Sequence, residues 1–325
     1  MNLPQFLDPK NDVAFKKLFG TEEHKDILIH FINDILGFEG NDKVQDVKFL
    51  STILNPDIAY KKQSLVDVLC EDANGVQIIV EMQVSPQEGF EKRAQFYAAK
   101  AYSRQLNQGQ EEDGLYRNLK EVIFIAIANY DVFPGKEEYL SRHVILDRKT
   151  HTRDLKDFSF TFLELKKFNK TQIDDLDGIV EKWCYFFKYA KKTDHHHLER
   201  LSKDDVIIKK AFDAIYQFNW TEDERFEYER EIKRIMDNRA VEDYKKQQLK
   251  KQYDEILEKG MEKGKEEGIQ LGEARGIEKG MEKGIEKGIE KGIEKTARNM
   301  LALGLDRQTI AKATGLSLDD IDGLQ

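Results

Sequence analysis

Leu65-Val66-Asp67-Val68-Leu69-Cys70-Glu71, the polar turn Asp72-Ala73-Asn74-Gly75, and the run Val76-Gln77-Ile78-Ile79-Val80-Glu81-Met82-Gln83-Val84 together predict a β-hairpin. Two acids, Asp67 and Glu81, stand inside otherwise apolar strands. A carboxylate buried without a partner is costly, so each needs a cation, a hydrogen-bond network or exposure. Strand side chains alternate, which places Glu81 and Gln83 on one face and Val80 and Met82 on the other. The turn decides where Asp67 goes. A three-residue loop centred on Asn74 sets Asp67 opposite Glu81, with Cβ atoms ~5 Å apart. A two-residue Asn74-Gly75 turn sets Met82 opposite Asp67 and sends Glu81 to the other face. The turn chemistry allows both. Paired carboxylates repel unless a cation lies between them, and Mg²⁺, which prefers oxygen ligands, suits that place. The plain alternative is an edge hairpin with solvated acids.

Outward from the hairpin, helical and strand patterns alternate. Asn11 or Asp12 can cap a first helix carrying Val13, Phe15, Leu18 and Phe19, and Ile27, Leu28, Phe31, Ile32, Ile35 and Leu36 mark a second ending at Gly37. Residues 44–54 predict a strand, and 87–108 a long helix. Val122 to Ile127 is a continuous apolar run, as in a strand buried on both faces, and 143–146 and 158–165 predict further strands. Beyond residue 170 the pattern is helical, with amphipathic segments at 176–191 and 203–219. The predicted division is an α/β domain over 1–170, a helical extension over 171–221, a long charged helix with a glycine-repeat stalk over 222–295, and a small helical tail over 296–325.

Composition narrows the class. The chain has 325 residues, 40% of them hydrophobic, enough to build a core; 35% are charged, so part of it must be solvated. Nine glycines, Gly260 to Gly292, recur every four residues and locate that part. The net charge is −9, and neither the first 220 residues nor the remainder carries a basic excess. Any nucleic-acid contact must therefore use a local stripe. Cys70 and Cys184 form no disulfide framework or CxxC spacing, no secretory leader pattern opens the sequence, and no apolar run could span a bilayer. A cytoplasmic location is expected.

Asp67 with Glu81-Met82-Gln83 resembles the PD-(D/E)XK nuclease motif in its D…ExQ form. Asn11-Asp12-Val13-Ala14-Phe15-Lys16-Lys17-Leu18-Phe19 resembles the opening of the Rpn family of recombination-promoting nucleases, also described as transposases. Arg93, Tyr97, Tyr102, Gln105 and Gly109, the stretch from Leu119 to Ile127, and the Glu/Arg-rich segment Thr221–Asp237 are similar to that family too. The resemblance covers residues 8–240. It implies an α/β, restriction-endonuclease-like core with a mixed sheet flanked by helices, followed by a helical C-terminal extension. It further implies Asp67 and Glu81 as ligands of a divalent metal, Mg²⁺ or another, with Gln83 and Asp12 as further catalytic residues. The reaction implied is phosphodiester hydrolysis, in which the metal polarises the phosphate and activates water. Gln83 departs from the general motif, where a lysine stands. An amide can orient water or a phosphate oxygen but brings no positive charge. Lys61 and Lys62 are nearby cations, more simply read as surface residues.

On a helix, Arg93, Lys100 and Arg104 fall within about 40° of one another, with Tyr97 beside them. This basic stripe could hold a DNA backbone against the metal site; snorkelling at the edge of an amphipathic helix is the plainer account. His195-His196-His197 reads as a surface turn between helices, since adjacent helical positions point about 100° apart. Cys184, between Trp183 and Tyr185, reads as a core thiol.

The glycine line drifts about 40° per repeat, so it offers no fixed coiled-coil seam, and nine glycines cost a helix about 9 kcal/mol against alanine. A solvated helix or flexible spacer is expected, with helix–helix assembly through the glycines as the alternative. The tail resembles a helix-turn-helix over residues 301–324, with helices at 306–314 and 317–324 about Gly315. Its second helix, however, carries Asp319, Asp320 and Asp322 and no basic or amide side chain, so a small bundle that caps the stalk or meets a protein is expected instead. The function expected is a metal-dependent DNA endonuclease tied to recombination or mobile elements, with anti-phage defence a variation. The contrasting expectation is a catalytically weak or inactive scaffold, assembling with itself or a protein partner through its C-terminal helices.

Overall fold

The computed structural model describes residues 4–54, 64–107, 116–203 and 205–324. Lys61, Lys62, Gln108 and Gly109 lie outside them. Two compact units divide the chain, 1–237 and 238–325.

The first unit opens with helices α1 (Asp12–Phe19) and α2 (Lys25–Leu36) and strands β1 (Val47–Phe49), β2 (Ile53–Leu54) and β3 (Ser64–Leu65). The central hairpin is β4 (Val68–Asp72) and β5 (Gln77–Gln83). Helix α3 (Phe90–Arg104) and strands β6 (Val122–Ala128), β7 (Leu140–Val144) and β8 (Phe158–Glu164) follow, then helices α4 (Gly178–Tyr189), α5 (His195–Leu201) and α6 (Val206–Ala214). Six strands form one sheet in the order β1-β4-β5-β6-β8-β7, and β2 pairs with β3 apart from it. β5, β6 and β8 run parallel, while β1, β4 and β7 are antiparallel to their neighbours. This is the mixed sheet flanked by helices implied by the resemblance.

Alternation along β5 builds two cores. Ile78, Val80 and Met82 join Phe15 and Leu18 of α1, Phe31 of α2, Trp183 and Phe187 of α4 and Phe212 of α6. Ile79, on the opposite face, joins Phe90, Ala94, Ala98 and Ala101 of α3 with Phe124 and Phe162. Alanines at the contact face let α3 approach the sheet closely. The helices after residue 171 thus share the core of the strands. Every residue of β6 is buried, as the unbroken apolar run requires.

Several elements differ from their sequence reading. The strand expected over 44–54 is broken at Leu50–Thr52, where Leu50 donates to the Leu69 carbonyl and Arg104 binds the carbonyls of Ser51 and Ile53. The strand expected over 143–146 is instead β7, ending at Val144; Asp147 then turns the chain by accepting from the N–H groups of Lys149 and Thr150. The histidine run is no turn. It opens α5, because Asp194 caps that helix by accepting from the His197 N–H at 2.8 Å. Cys70 and Cys184 are buried free thiols.

Helix α7 (Glu222–Ala302) begins in the first unit and supplies most of the second. The glycine tract lies within it as continuous helix, and a Cβ at any glycine from Gly260 to Gly292 would meet open space. Helices α8 (Arg307–Thr314) and α9 (Leu318–Asp322) follow, closed around Ala297, Ile310 and Ile321.

Candidate functional site

The turn between β4 and β5 is the three-residue kind. Asp72 pairs with Val76 across it, donating its N–H to the Val76 carbonyl at 3.0 Å, and its side chain accepts from the N–H groups of Asn74 and Val76 at 2.8 Å each. Gly75 holds φ at +84°, a left-handed value that glycine adopts without a Cβ penalty. The resulting register sets Val68 opposite Val80 and Leu69 opposite Ile79. One step further along the same register, Asp67 meets Glu81 where the chain bends into β4. The Asp67 N–H donates to Glu81 Oε2 at 3.0 Å, and the Met82 N–H donates to Asp67 Oδ2 at 2.8 Å.

Glu81 lies mid-sheet and is 4% exposed, while Asp67 is partly exposed at the strand entrance. Burial pushes the Glu81 carboxyl up, and the Asp67 charge pushes it further; the Asp67 N–H and Arg93 oppose the rise. Burial likewise pushes Asp67 up. The Met82 N–H opposes that, Asp12 adds to it, and Lys16 and Arg93 work against it. Gln83, buried on the Glu81 face, donates its amide to Glu81 Oε1 at 3.3 Å. Two carboxyls so placed favour a positive partner.

Arg93 approaches from α3, its guanidinium 3.9 Å from Glu81 and stacked near the rings of Phe90 and Tyr97. It also donates to the Gln87 side chain, and its Nε is buried without a hydrogen-bond partner. Tyr97 is close enough to feel both acids: burial raises its hydroxyl pKa, Arg93 opposes this, and Glu81 and Asp67 add to it. Asp12 and Lys16 of α1 are ion-paired at 2.9 Å, each about two-fifths exposed, and lie within electrostatic reach of Asp67. The structure therefore gathers Asp67, Glu81, Gln83, Arg93 and Tyr97, with Asp12 within electrostatic reach of the two acids.

The remainder of the basic stripe is spent elsewhere. Arg104 holds the Ser51 and Ile53 carbonyls at 3.0 and 3.2 Å, and the Lys100 ammonium sits 4.7 Å from the Phe96 ring centre. Two cations stand outside the stripe. Lys16 lies four residues from Asp12, one turn along α1. Arg234 of α7 is held by Glu231 at 2.6 and 2.8 Å and lies within electrostatic reach of Asp12. Only the fold reveals that proximity.

Among the described residues, no three His, Cys, Asp or Glu side chains are gathered closely enough to hold a metal. The carboxylate pair nevertheless fits a Mg²⁺-like ion. Such ions commonly take one or two protein carboxylates and complete their shell with water and substrate phosphate.

Residues 9–245 match the family model of the PD-(D/E)XK nuclease family transposase. The chain belongs to that family. Residues 293–325 match a second model, the C-terminal HTH domain of the Rpn/YhgA-like nuclease family. No curated protein and no solved structure matches the chain. Membership ties the fold to nucleases and to mobile elements, and PD-(D/E)XK nucleases generally use divalent metal ions. The helix-turn-helix resemblance of the tail is borne out. Its acids also have structural duties: Asp320 closes a capping box with Ser317, and Asp322 pairs with Arg307 at 2.8 Å. Among the described residues, no helix is long and apolar enough to cross a membrane.

Proposed function

We propose that this protein is a Mg²⁺-dependent DNA endonuclease whose catalytic centre is the Asp67–Glu81 pair. The observation that carries the reading is the reciprocal backbone clasp of those two acids, which keeps two charge-hungry carboxylates side by side at the edge of a buried strand. In the reaction, a water oxygen bonds to phosphorus, one P–O ester bond breaks, and the products are a phosphomonoester and an alcohol. A divalent ion held by Asp67 and Glu81 would supply Lewis-acid polarisation of the phosphate and activation of water.

The chain's own groups divide the remaining work. Gln83 fixes the Glu81 carboxylate by its amide hydrogen bond and keeps it turned toward the site. Arg93 brings a full positive charge to the same edge and is placed to receive a phosphate oxygen; its unpartnered Nε–H leaves a donor to satisfy. Tyr97 flanks the guanidinium and limits its motion. Asp12, farther out on α1, extends the acidic side of the site. The tail's match to an HTH domain supports a second contact to DNA, made by residues outside its acidic second helix.

Incubation of the purified full chain with supercoiled plasmid tests this function. Nicking is expected with Mg²⁺ and should stop with a chelator. Absence of both cleavage and DNA affinity with Mg²⁺ or Mn²⁺ would instead favour a scaffold acting through its helical C-terminal half.

A further inference from the structure

Helix α3 meets the sheet through small side chains and shows a large one to solvent. Ala94, Ala98 and Ala101 are buried with Phe90, whereas Phe96 is 53% exposed. An exposed phenylalanine forgoes the burial its ring could gain, and a polar residue would serve that face without loss. A lone apolar side chain on a surface is ordinary. The neighbours of this one are not.

Phe96 belongs to a chain of contacts that starts at the carboxylates. Arg93 Nη2 is 3.9 Å from Glu81 Oε1, and the guanidinium carbon is 5.7 Å from the Tyr97 ring centre. That ring centre is 6.3 Å from the Phe96 ring centre, with the two planes 43° apart. The Lys100 ammonium lies over the Phe96 ring, 4.7 Å from its centre. Positions 93, 96, 97 and 100 share one flank of the helix, since steps of three, four and seven residues return close to the same direction. Arg104, one turn further, is held by the Ser51 and Ile53 carbonyls and ends the strip. Two rings thus stand between two cations, in a line leading away from Glu81.

That order suits a DNA strand whose bases are open. Bases stack on aromatic rings whatever their sequence, and the phosphates between them seek cations. In a duplex each base face is covered by its neighbours, and the grooves offer only edges and backbone. A face becomes available where the strand is unpaired. Base stacking outweighs an exposed cation–π contact, so a base can take the Phe96 ring and leave the Lys100 ammonium to the adjoining phosphate. We propose that Phe96 is the platform on which an unpaired base of the substrate stacks, with Arg93 and Lys100 on the flanking phosphates, so that the protein cuts DNA at or beside single-stranded stretches. This inference rests on the nuclease reading above and names the substrate class of the same site.

Binding by the full-length protein with Ca²⁺ in place of Mg²⁺ tests it. The probe is a labelled mixed-sequence oligonucleotide, used alone and annealed to its complement. Phe96→Ala should weaken single-strand binding at least about tenfold and duplex binding far less, and it should melt at the wild-type temperature. Phe96→Trp should bind the single strand at least as well as wild type. Phe96→Leu, apolar but without a π face, should bind it as poorly as Phe96→Ala. Lys100→Ala should reduce the magnitude of the single-strand salt slope by about 0.7, whereas Phe96→Ala should leave that slope unchanged, because stacking releases no counterion. With Mg²⁺, wild type should cleave a duplex containing an unpaired bubble faster than the fully paired duplex, and Phe96→Ala should narrow that difference. Equal losses on single strand and duplex in Phe96→Ala, wild-type single-strand affinity in Phe96→Leu, or no preference of wild type for the bubble would each overturn the assignment. A wild type that neither binds nor cleaves DNA removes the nuclease reading, and this inference with it. A wild type that cleaves, with a Phe96→Ala that binds the single strand equally well, removes this inference alone.

Discussion

Asp67 and Glu81 clasp one another through the backbone: the Asp67 N–H bonds the Glu81 carboxylate at 3.0 Å, and the N–H beside Glu81, from Met82, bonds the Asp67 carboxylate at 2.8 Å. Each acid is therefore oriented before any cation or substrate arrives. Such preorganisation is what an electrostatic site requires.

The clasp depends on the turn that sets the register. Gly75 combines a φ of +84° with a Cβ position that would lie 3.2 Å from the Lys120 Cγ. Gly75→Val should destabilise the protein by about 1–2 kcal/mol, since a left-handed backbone is costly for a side chain with a Cβ. Denaturant unfolding checks this. A variant as stable as wild type would show that the hairpin tolerates another turn.

Acidity should act through the same pair. Burial raises Asp67 to about 6 and Glu81 to about 8, above their ordinary values. A carboxyl raised on folding binds its proton more readily in the folded chain, so its contribution is favourable at low pH and is lost as pH rises through the folded value. The metal-free protein should therefore lose stability between about pH 4 and 8. Glu81→Gln should flatten that loss and melt higher than wild type near pH 8, while binding divalent ions more weakly. Metal binding near neutral pH should also release protons, read by calorimetry in buffers of different ionisation enthalpy. An unchanged pH–stability curve in Glu81→Gln would contradict the electrostatic account.

Two arginines of the same helix should separate cleanly. Arg93→Ala should weaken DNA binding and reduce the magnitude of its salt slope by about one. Arg104→Ala should instead cost about 1 kcal/mol of stability through its lost bonds to the Ser51 and Ile53 carbonyls, with the salt slope unchanged. Titration of a labelled duplex at several salt concentrations distinguishes them. Equal slopes in wild type and Arg93→Ala would remove Arg93 from the phosphate contact.

The glycine tract should be tolerant. No neighbour crowds the glycines of α7, so each glycine-to-alanine change should stabilise the helix by about 1 kcal/mol. Deletion of one four-residue unit should leave nicking rates as they were. A large loss of activity would assign the tract a catalytic duty.

The sequence carried more of the sheet than of the site's surroundings. Apolar alternation in β5 and the unbroken run of β6 are local patterns, set by burial, and both are legible residue by residue. The register was a choice between two turns; Asp72, which accepts from Asn74 and Val76, and the left-handed Gly75 decided it. The helical stripe misled in part, because angular position on a helix says nothing of what stands opposite: Arg93 meets Glu81, whereas Arg104 meets backbone carbonyls. Arg234 lies within electrostatic reach of Asp12 although the two stand more than 200 residues apart in the chain, a proximity that no local pattern encodes.

The most direct test of the central claim is the rate of Mg²⁺-dependent plasmid nicking by Asp67→Asn and Glu81→Gln, each of similar shape to the acid it replaces. The account predicts that wild type nicks, and that each single variant falls by at least about a hundredfold while remaining folded. Nicking at the wild-type rate by both variants would contradict it.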